Sequence, residues 1–227
     1  MELEFFKEID SQLTDTQRKQ YYRYFELIAE YNKVMNLTGI DDYEGVYLKH
    51  FFDSLTVKDQ IIEINPETIA DVGSGAGFPG IVLAIYFPEI KFTLIEPLTK
   101  RIKFLQVVVD ELELTNVELL NERVEDIDAE FDIVTSRAVA RLNILLELCA
   151  PVCKVGGYVL TLKGPKVTEE LEEAKNAISK LGLEQTMSEK LVLPIEESVR
   201  YNVYLKKVAK TPAKYPRNFG QIKKKPL

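Results

Sequence analysis

Three glycines in five residues, Gly73, Gly75 and Gly77, mark where this chain's backbone can come close to a ligand. A Cβ there would collide with whatever the turn holds, and glycine reaches backbone conformations that other residues avoid. The run follows a short apolar strand at 68–72 and leads through Phe78 and Pro79 into an apolar helix at 80–87. Proline suits the first turn of a helix, where its missing N–H costs nothing. A second strand, 91–96, ends in Glu96, twenty-three residues after Gly73. A glycine turn after one strand and a carboxylate after the next together make a nucleoside pocket, because the carboxylate accepts hydrogen bonds from both ribose hydroxyls. The plainer reading of Glu96, an exposed strand-end carboxylate, is the weaker of the two.

Two cofactors use that geometry, a nicotinamide dinucleotide and S-adenosylmethionine. Gly75-x-Gly77-x-x-Gly80 fits the dinucleotide fingerprint, a short and unspecific match. The longer string Asp71-Val72-Gly73-x-Gly75-x-Gly77 resembles the first motif of class I S-adenosylmethionine-dependent methyltransferases. In that class the loop packs on the methionine part of a cofactor that has no pyrophosphate. The chain, at 227 residues, is also short for a dehydrogenase with its own substrate domain. A glycine turn that binds nothing is the remaining alternative.

The elements that must position these residues alternate. Strands at 68–72, 91–96, 117–120, 131–136 and 158–162 are separated by apolar-striped helices at 80–87, 98–114, 139–149 and 166–181. That order predicts a parallel, doubly wound α/β sheet. Two further strands, near 185–193 and 199–208, have no helix between them and should form an antiparallel hairpin. The methyltransferase resemblance places such a hairpin at the sheet edge of a Rossmann-like fold. Residues up to about 60 read as helical: Thr14-x-x-Gln17 is a capping box, and Tyr21, Tyr24, Ile28, Tyr31 and Met35 recur at helical spacing. Three regions follow: an N-terminal helical appendage at 1–62, a methyltransferase domain at 63–209 and a basic C-terminal tail at 210–227.

In an open parallel sheet, ligands bind beyond the carboxyl ends of the strands. Those ends supply Gly73 to Phe78, Glu96, Asn121 to Asp126, Ser136 to Ala138, and Lys163 with Gly164. Val124 and Glu125 lie where an adenine would be held, although Glu125 equally suits the cap of a short helix. Arg137 at a central strand end is costly unless it meets an anion or a polar ligand. It can hold the cofactor carboxylate or the substrate, or pair with a neighbouring acid, and Lys163 has the same readings. His50, the only histidine, reads as a packing residue before a general base. No Asn/Asp-Pro-Pro-aromatic string follows the fourth strand, and no Pro-Cys or Thr-Cys pair stands at a strand end. The acceptor should therefore need no covalent help, and a guanine N7, with its free lone pair, fits.

Composition narrows the setting. Hydrophobic residues make up 46% and charged residues 29%, ordinary for a globular protein, and no apolar run approaches the length of a membrane span. Cys149 and Cys153 have no histidine or further cysteine near them, which speaks against a metal site. They read as buried spectators one helical turn apart. With no signal-peptide pattern, the chain is placed in the cytoplasm. Net charge is −7, yet nine basic residues and no Asp or Glu fall between Ser198 and Leu227. Such segregation points to a polyanion met at one end of the molecule, with a solvated basic tail as the bland alternative.

At these residues the sequence resembles a known family. Asn36-Leu37-Thr38, His50-Phe51-Phe52-Asp53-Ser54-Leu55, the glycine motif to Gly80, Lys100-Arg101-x-x-Phe104-Leu105, Arg123-Val124-Glu125, Ser136-Arg137-Ala138, Leu162-Lys163-Gly164 and Tyr215-Pro216-Arg217 occur in that order. Together they look like the ribosomal RNA small subunit methyltransferase G family, over nearly the whole chain from about residue 30. The resemblance implies methylation of a guanine N7 in bacterial 16S rRNA, on naked RNA or on the small ribosomal subunit, with S-adenosylmethionine as donor. It implies cofactor contacts at Gly73, Phe78, Val124, Glu125 and Arg137. Glu96 stands where the family often has Asp. Within this reading Arg137 and Lys163 act at the reaction centre, Gly75 and Glu96 join the cofactor site, and Lys163, Arg200, Arg217, Lys223, Lys224 and Lys225 meet RNA. A methyltransferase acting on a small molecule or a protein, and a nucleotide-binding regulator without activity, are the rival readings.

Overall fold

The structure, a computed structural model, describes residues 3–227. Seven strands form one sheet: β1 (Thr68–Val72), β2 (Lys91–Ile95), β3 (Val117–Leu120), β4 (Phe131–Arg137), β5 (Cys153–Lys163), β6 (Leu183–Val192) and β7 (Val199–Lys207). Their order is β3-β2-β1-β4-β5-β7-β6, so the chain winds outward in both directions from the β1–β4 junction. β1 to β5 pair in parallel, and β7 runs antiparallel to both β5 and β6. The expected doubly wound sheet with its edge hairpin is therefore present. Because the strands are parallel and in register, the residues after β1, β2, β4 and β5 emerge along one edge. The β1–β4 junction is the switch point at which such sheets bind ligands.

Side chains alternate between two cores, one on each face of the sheet. Ile69, Phe92, Leu94, Ile133, Leu160 and Leu162 face the first, while Ala70, Val72, Ile95, Val134 and Val159 face the second. Helices α1 (Lys7–Gln12) and α2 (Asp15–Met35) lie on the first face. The Thr14/Gln17 capping box opens α2, and Asn36 in the left-handed region closes it. Next come α3 (Tyr43–Val46), a π-helical turn (Tyr47–Phe52), α4 (Asp53–Leu55) and α5 (Lys58–Ile64). The same face carries α6 (Gly80–Tyr86) and α7 (Thr99–Glu111). The aromatic stripe of α2 is bonded to the glycine motif and to α6: Tyr24 Oη donates to the Ala76 carbonyl at 2.6 Å, and Tyr21 Oη donates to the Val82 carbonyl at 2.8 Å. Gly77, at φ 102°, leaves room for this, since a Cβ there would lie 2.5 Å from the Tyr24 hydroxyl. The N-terminal helices thus share a core with the sheet and brace the ligand-facing turn.

The second face carries α8 (Leu142–Cys149), α9 (Val167–Lys180) and, from the C-terminal segment, α10 (Phe219–Lys224). Three local differences from the sequence expectation stand out. α8 starts at Leu142 rather than 139, because residues 138–141 form an irregular turn that begins with Ala138 at φ 59°. β5 starts at Cys153 and runs through Gly156-Gly157 instead of after them. Cys149 therefore ends a helix and Cys153 begins a strand, so they do not share a helical face. Both are free and buried. The segment after 209 is docked: Ile222 is fully buried, and Tyr215 and Phe219 pack on the second core. Among the described residues no helix is long and apolar enough to cross a membrane.

Candidate active site

The β1–α6 turn and the end of β2 enclose a cavity of about 490 Å³. Its floor is Gly73 to Ala76, with Gly73 at φ 73° and Gly75 at φ 60°. A Cβ on Gly75 would meet Arg101 and the Gly73 carbonyl only at ordinary contact distance, 3.8 Å, so it is the positive φ rather than crowding that calls for glycine there. Glu96 closes the cavity at the β2 end and is 2% exposed. One of its oxygens accepts from Gly75 N–H at 3.0 Å and lies 3.4 Å from Arg101, while the other accepts from Leu98 N–H at 2.9 Å. The carboxylate thus shapes the glycine turn as well as facing the cavity. Below it Asp71 is fully buried and accepts from Gly80 N–H at 3.0 Å, and burial pushes its carboxyl up to about 7.

The far wall is a stack. The Phe78 ring lies against His50 with centroids 4.3 Å apart, and the Arg137 guanidinium sits 5.0 Å over Phe78. Arg137 donates to Asp53 at 2.8 Å and to the Lys49 carbonyl at 2.9 Å, and its Nη2 lies 3.1 Å from His50 Nδ1. Of the alternatives open for Arg137 in the sequence, the acid pairing is realised here, and the acid is Asp53. Arg137 also lines both this cavity and its neighbour. His50 also meets the Thr38 hydroxyl at 2.7 Å. Burial, then the Arg137 charge, lower His50 to about 3, so the imidazole is neutral at physiological pH.

A second cavity, about 550 Å³, opens beyond β4 and β5. Lys49, Arg137, Arg141, Lys163 and Arg200 line it, against the acids Asp53 and Glu170. Arg200 lies 3.3 Å from Asp53, so that carboxylate is bracketed by two guanidinium groups. Lys163 is 8% exposed and donates to the Ala140 carbonyl and to Glu170, both at 2.7 Å. The two cavities share His50, Arg137, Ala138 and Val139 as a common wall. A site of this form can hold a nucleoside-bearing cofactor on one side and an anionic, base-bearing substrate on the other. The sheet thus brings Gly73, Gly75, Phe78, Glu96, Arg137, Lys163 and Arg200 to one edge.

Other expected residues lie apart. Val124 and Glu125 form a 3₁₀ turn after β3, outside the lining of the first cavity. Val124 is buried, and Glu125 is 3.8 Å from Arg123. Arg217 is not presented to solvent as a free cation: it forks onto fully buried Glu147 at 2.7 and 2.6 Å and fastens the C-terminal segment to α8. Lys223, Lys224 and Lys225 are exposed on and just after α10. The sequence offered no role for Asp53, Thr38, Lys49 or Glu170, although Thr38 and Asp53 stand within the motifs that carry the family resemblance. Asp53 carried a usable signal, since it stands three residues after His50 on a helical pattern and so faces the same way. That it would meet Arg137, 84 residues on, was not visible locally.

Comparison with known proteins agrees with this geometry. Residues 17–199 match the family model described as rRNA small subunit methyltransferase G. A protein of that name from Staphylococcus carnosus is 46% identical, the match covering 99% of this chain and 97% of the relative. One from Geobacillus thermodenitrificans is 45% identical over 92% of this chain and 90% of its own length. Among solved structures, a SAM-dependent methyltransferase from Aquifex aeolicus superposes with a TM-score of 0.55 at 19% identity, covering 75% of this chain and 96% of that one. TYW2 from M. jannaschii, solved in complex with AdoMet, gives 0.52 at 18%, covering 66% and 75%. At such identities the structural likeness speaks for the fold.

Proposed function

The chain belongs to the rRNA small subunit methyltransferase G family, and from that premise we propose that it transfers a methyl group from S-adenosylmethionine to N7 of a guanine in 16S rRNA. The observation that carries the reading is the shared wall. A glycine cradle with a strand-end carboxylate lies on one side of Arg137 and Val139, and a cation-lined cavity lies on the other. The first cavity fits the cofactor: the backbone of Gly73 and Gly75 forms its floor, Glu96 faces the ribose, and Phe78 gives an apolar wall. Val124 and Glu125 would take the adenine end. The second cavity fits a flipped guanosine with its phosphates.

S-adenosylmethionine, when bound, supplies a methyl group on a sulfonium centre. N7 has a free lone pair, so no side chain has to remove a proton first. The chain's task is to hold the base in line, since a misplaced acceptor loses most of the rate. Arg137 and Lys163 are cations beside a purine that becomes cationic. They therefore position O6, a phosphate or the cofactor and do not stabilise the purine charge. Arg200 and the Lys223–Lys225 cluster supply phosphate contacts, and Arg217 seats the segment that carries that cluster. Acting on rRNA or on the small subunit, such an enzyme works in the bacterial cytoplasm.

The test is direct. Small subunits and naked 16S rRNA lacking the modification are incubated with the protein and methyl-labelled cofactor, and the nucleosides are analysed. The expected product is 7-methylguanosine at a single site. Label in any other nucleoside, in protein or nowhere would overturn the proposal.

A further inference from the structure

The wall between the two cavities is held by an ion pair from outside it. Ala138 sits in the left-handed region, which residues with a Cβ disfavour. Val139 presses on Gly73, where a Cβ would lie 2.5 Å from Val139 Cγ2. The Ala140 carbonyl takes its hydrogen bond from Lys163. Lys163 is paired in turn with Glu170 on α9, and the same Glu170 oxygen accepts from the N–H of Leu142 at 2.8 Å. Leu142 is the first residue of α8, and Arg141 before it gives no side-chain cap. Glu170 fills that role from another helix, and the helix dipole favours a carboxylate there. One carboxylate thus fixes both ends of the turn, Leu142 directly and Ala140 through Lys163.

We propose that Glu170 is a positioning residue for methyl transfer: it orients Lys163 and caps α8, and so holds Val139 against Gly73, where donor and acceptor meet. The inference rests on the function proposed above and extends it to a residue on α9, outside the strand-end loops. Methyl transfer depends steeply on distance and angle, so loosening the wall should lower the rate more than it weakens either binding step. Without Glu170, Lys163 keeps a buried charge with no counter-ion, and the Leu142 N–H loses its acceptor.

Three variants separate the contributions. Glu170→Ala removes charge and acceptor, Glu170→Gln keeps an acceptor without the charge, and Glu170→Asp keeps the charge on a shorter arm. In Glu170→Ala, amide hydrogen exchange at residues 139–142 should quicken by about tenfold or more, while the amides of β1 stay as in the wild type. The single-turnover rate should fall by about tenfold or more, with the dissociation constants for S-adenosylmethionine and for rRNA within about threefold. Glu170→Asp should recover more rate than Glu170→Gln. If Glu170→Ala does not fold, Glu170→Gln carries the comparison. Unchanged exchange, a rate within about twofold of wild type, or a rate loss matched by equal loss of cofactor affinity would each overturn the inference. A wild-type protein that transfers no methyl group to rRNA would instead sink the proposed function, and exchange at 139–142 would still report on the clamp.

Discussion

Glu96 uses one carboxylate twice, and that sets what its removal should do. Its oxygens hold the Gly75 and Leu98 N–H groups while facing the cavity. Glu96→Ala should raise the dissociation constant for S-adenosylmethionine by about tenfold or more, since hydrogen bonds to a charged group contribute about 1.5–3 kcal/mol each. Titration calorimetry reads this, and an unchanged constant would remove Glu96 from the cofactor site. The variant should also melt at a lower temperature, because the turn loses its anchor. His50 makes a prediction in pH. Its folded-state value of about 3 lies below the ordinary 6.5, so the unfolded chain binds the proton more readily. The stability that His50 contributes is complete above pH 6.5 and is lost as pH falls toward 3, on the order of 4–5 kcal/mol at most. Asp71 works the other way: raised to about 7, it contributes stability below its ordinary range that is lost as pH rises through 7. The two slopes oppose each other between about pH 4 and 6.5. His50→Gln should therefore leave a chain whose stability in denaturant falls with rising pH across that window, where the wild type is flatter. Identical slopes would contradict the buried neutral imidazole. Glu96, Arg137 and Lys163 were legible in the sequence because a strand end is a local feature. Their partners Asp53, Lys49 and Glu170 were not, because each pairing depends on how distant elements pack.

The regular elements were legible for the same local reason. β1 to β4 are short apolar runs bounded by turn residues, and each lies within a few residues of its expected place. The misses share a cause. Gly156-Gly157 looks like a strand opening, yet β4 pairs with β5 on both sides of it and carries the strand through. The docking of the C-terminal segment rests on Ile222 in a six-residue helix, too short for a periodic signal, and on Arg217 reaching Glu147. That docking changes how the segment's role must be tested. Truncation after Lys210 would strand fully buried Glu147 without its counter-ion, which costs about 3–5 kcal/mol, and would expose the Ile222 site. The truncated chain should unfold at distinctly lower denaturant, and any loss of RNA binding would be confounded. Replacing Lys223, Lys224 and Lys225 together by Ala avoids this, because all three are exposed. If each meets a phosphate, the dependence of log affinity on log salt should become shallower by about 2, at roughly 0.7 per single-strand contact. Fluorescence anisotropy on an rRNA fragment measures it, and an unchanged slope would take RNA binding away from α10.

At the scale of the whole molecule, the N-terminal helices do more than cover a sheet face. They deliver Lys49, His50 and Asp53 to the end of β4, so the wall between the two cavities is built from the N-terminal helices together with the sheet. The net charge of −7 hides this, because five cations against two acids line the second cavity and three more lysines cluster on and just after α10. Such an arrangement favours positioning over proton transfer. Around the wall, His50 is held neutral far below neutrality. N7 offers its lone pair without deprotonation. The single-turnover rate should therefore be nearly flat between about pH 6 and 8.5, where a general base would give a sigmoid rise. His50→Ala should keep substantial single-turnover activity, since it loses packing on Phe78 and hydrogen-bond contacts to Arg137 and Thr38 but no general base. Arg137→Ala should lose about a hundredfold or more, because the wall loses its anchor to Asp53 and to the Lys49 carbonyl. It should still fold, since Arg200 remains 3.3 Å from Asp53 and keeps that buried carboxylate paired. A rate that rises with pH through one ionisation would show that a base is required. So would a His50→Ala enzyme that binds RNA and cofactor normally, melts normally and yet transfers no methyl group.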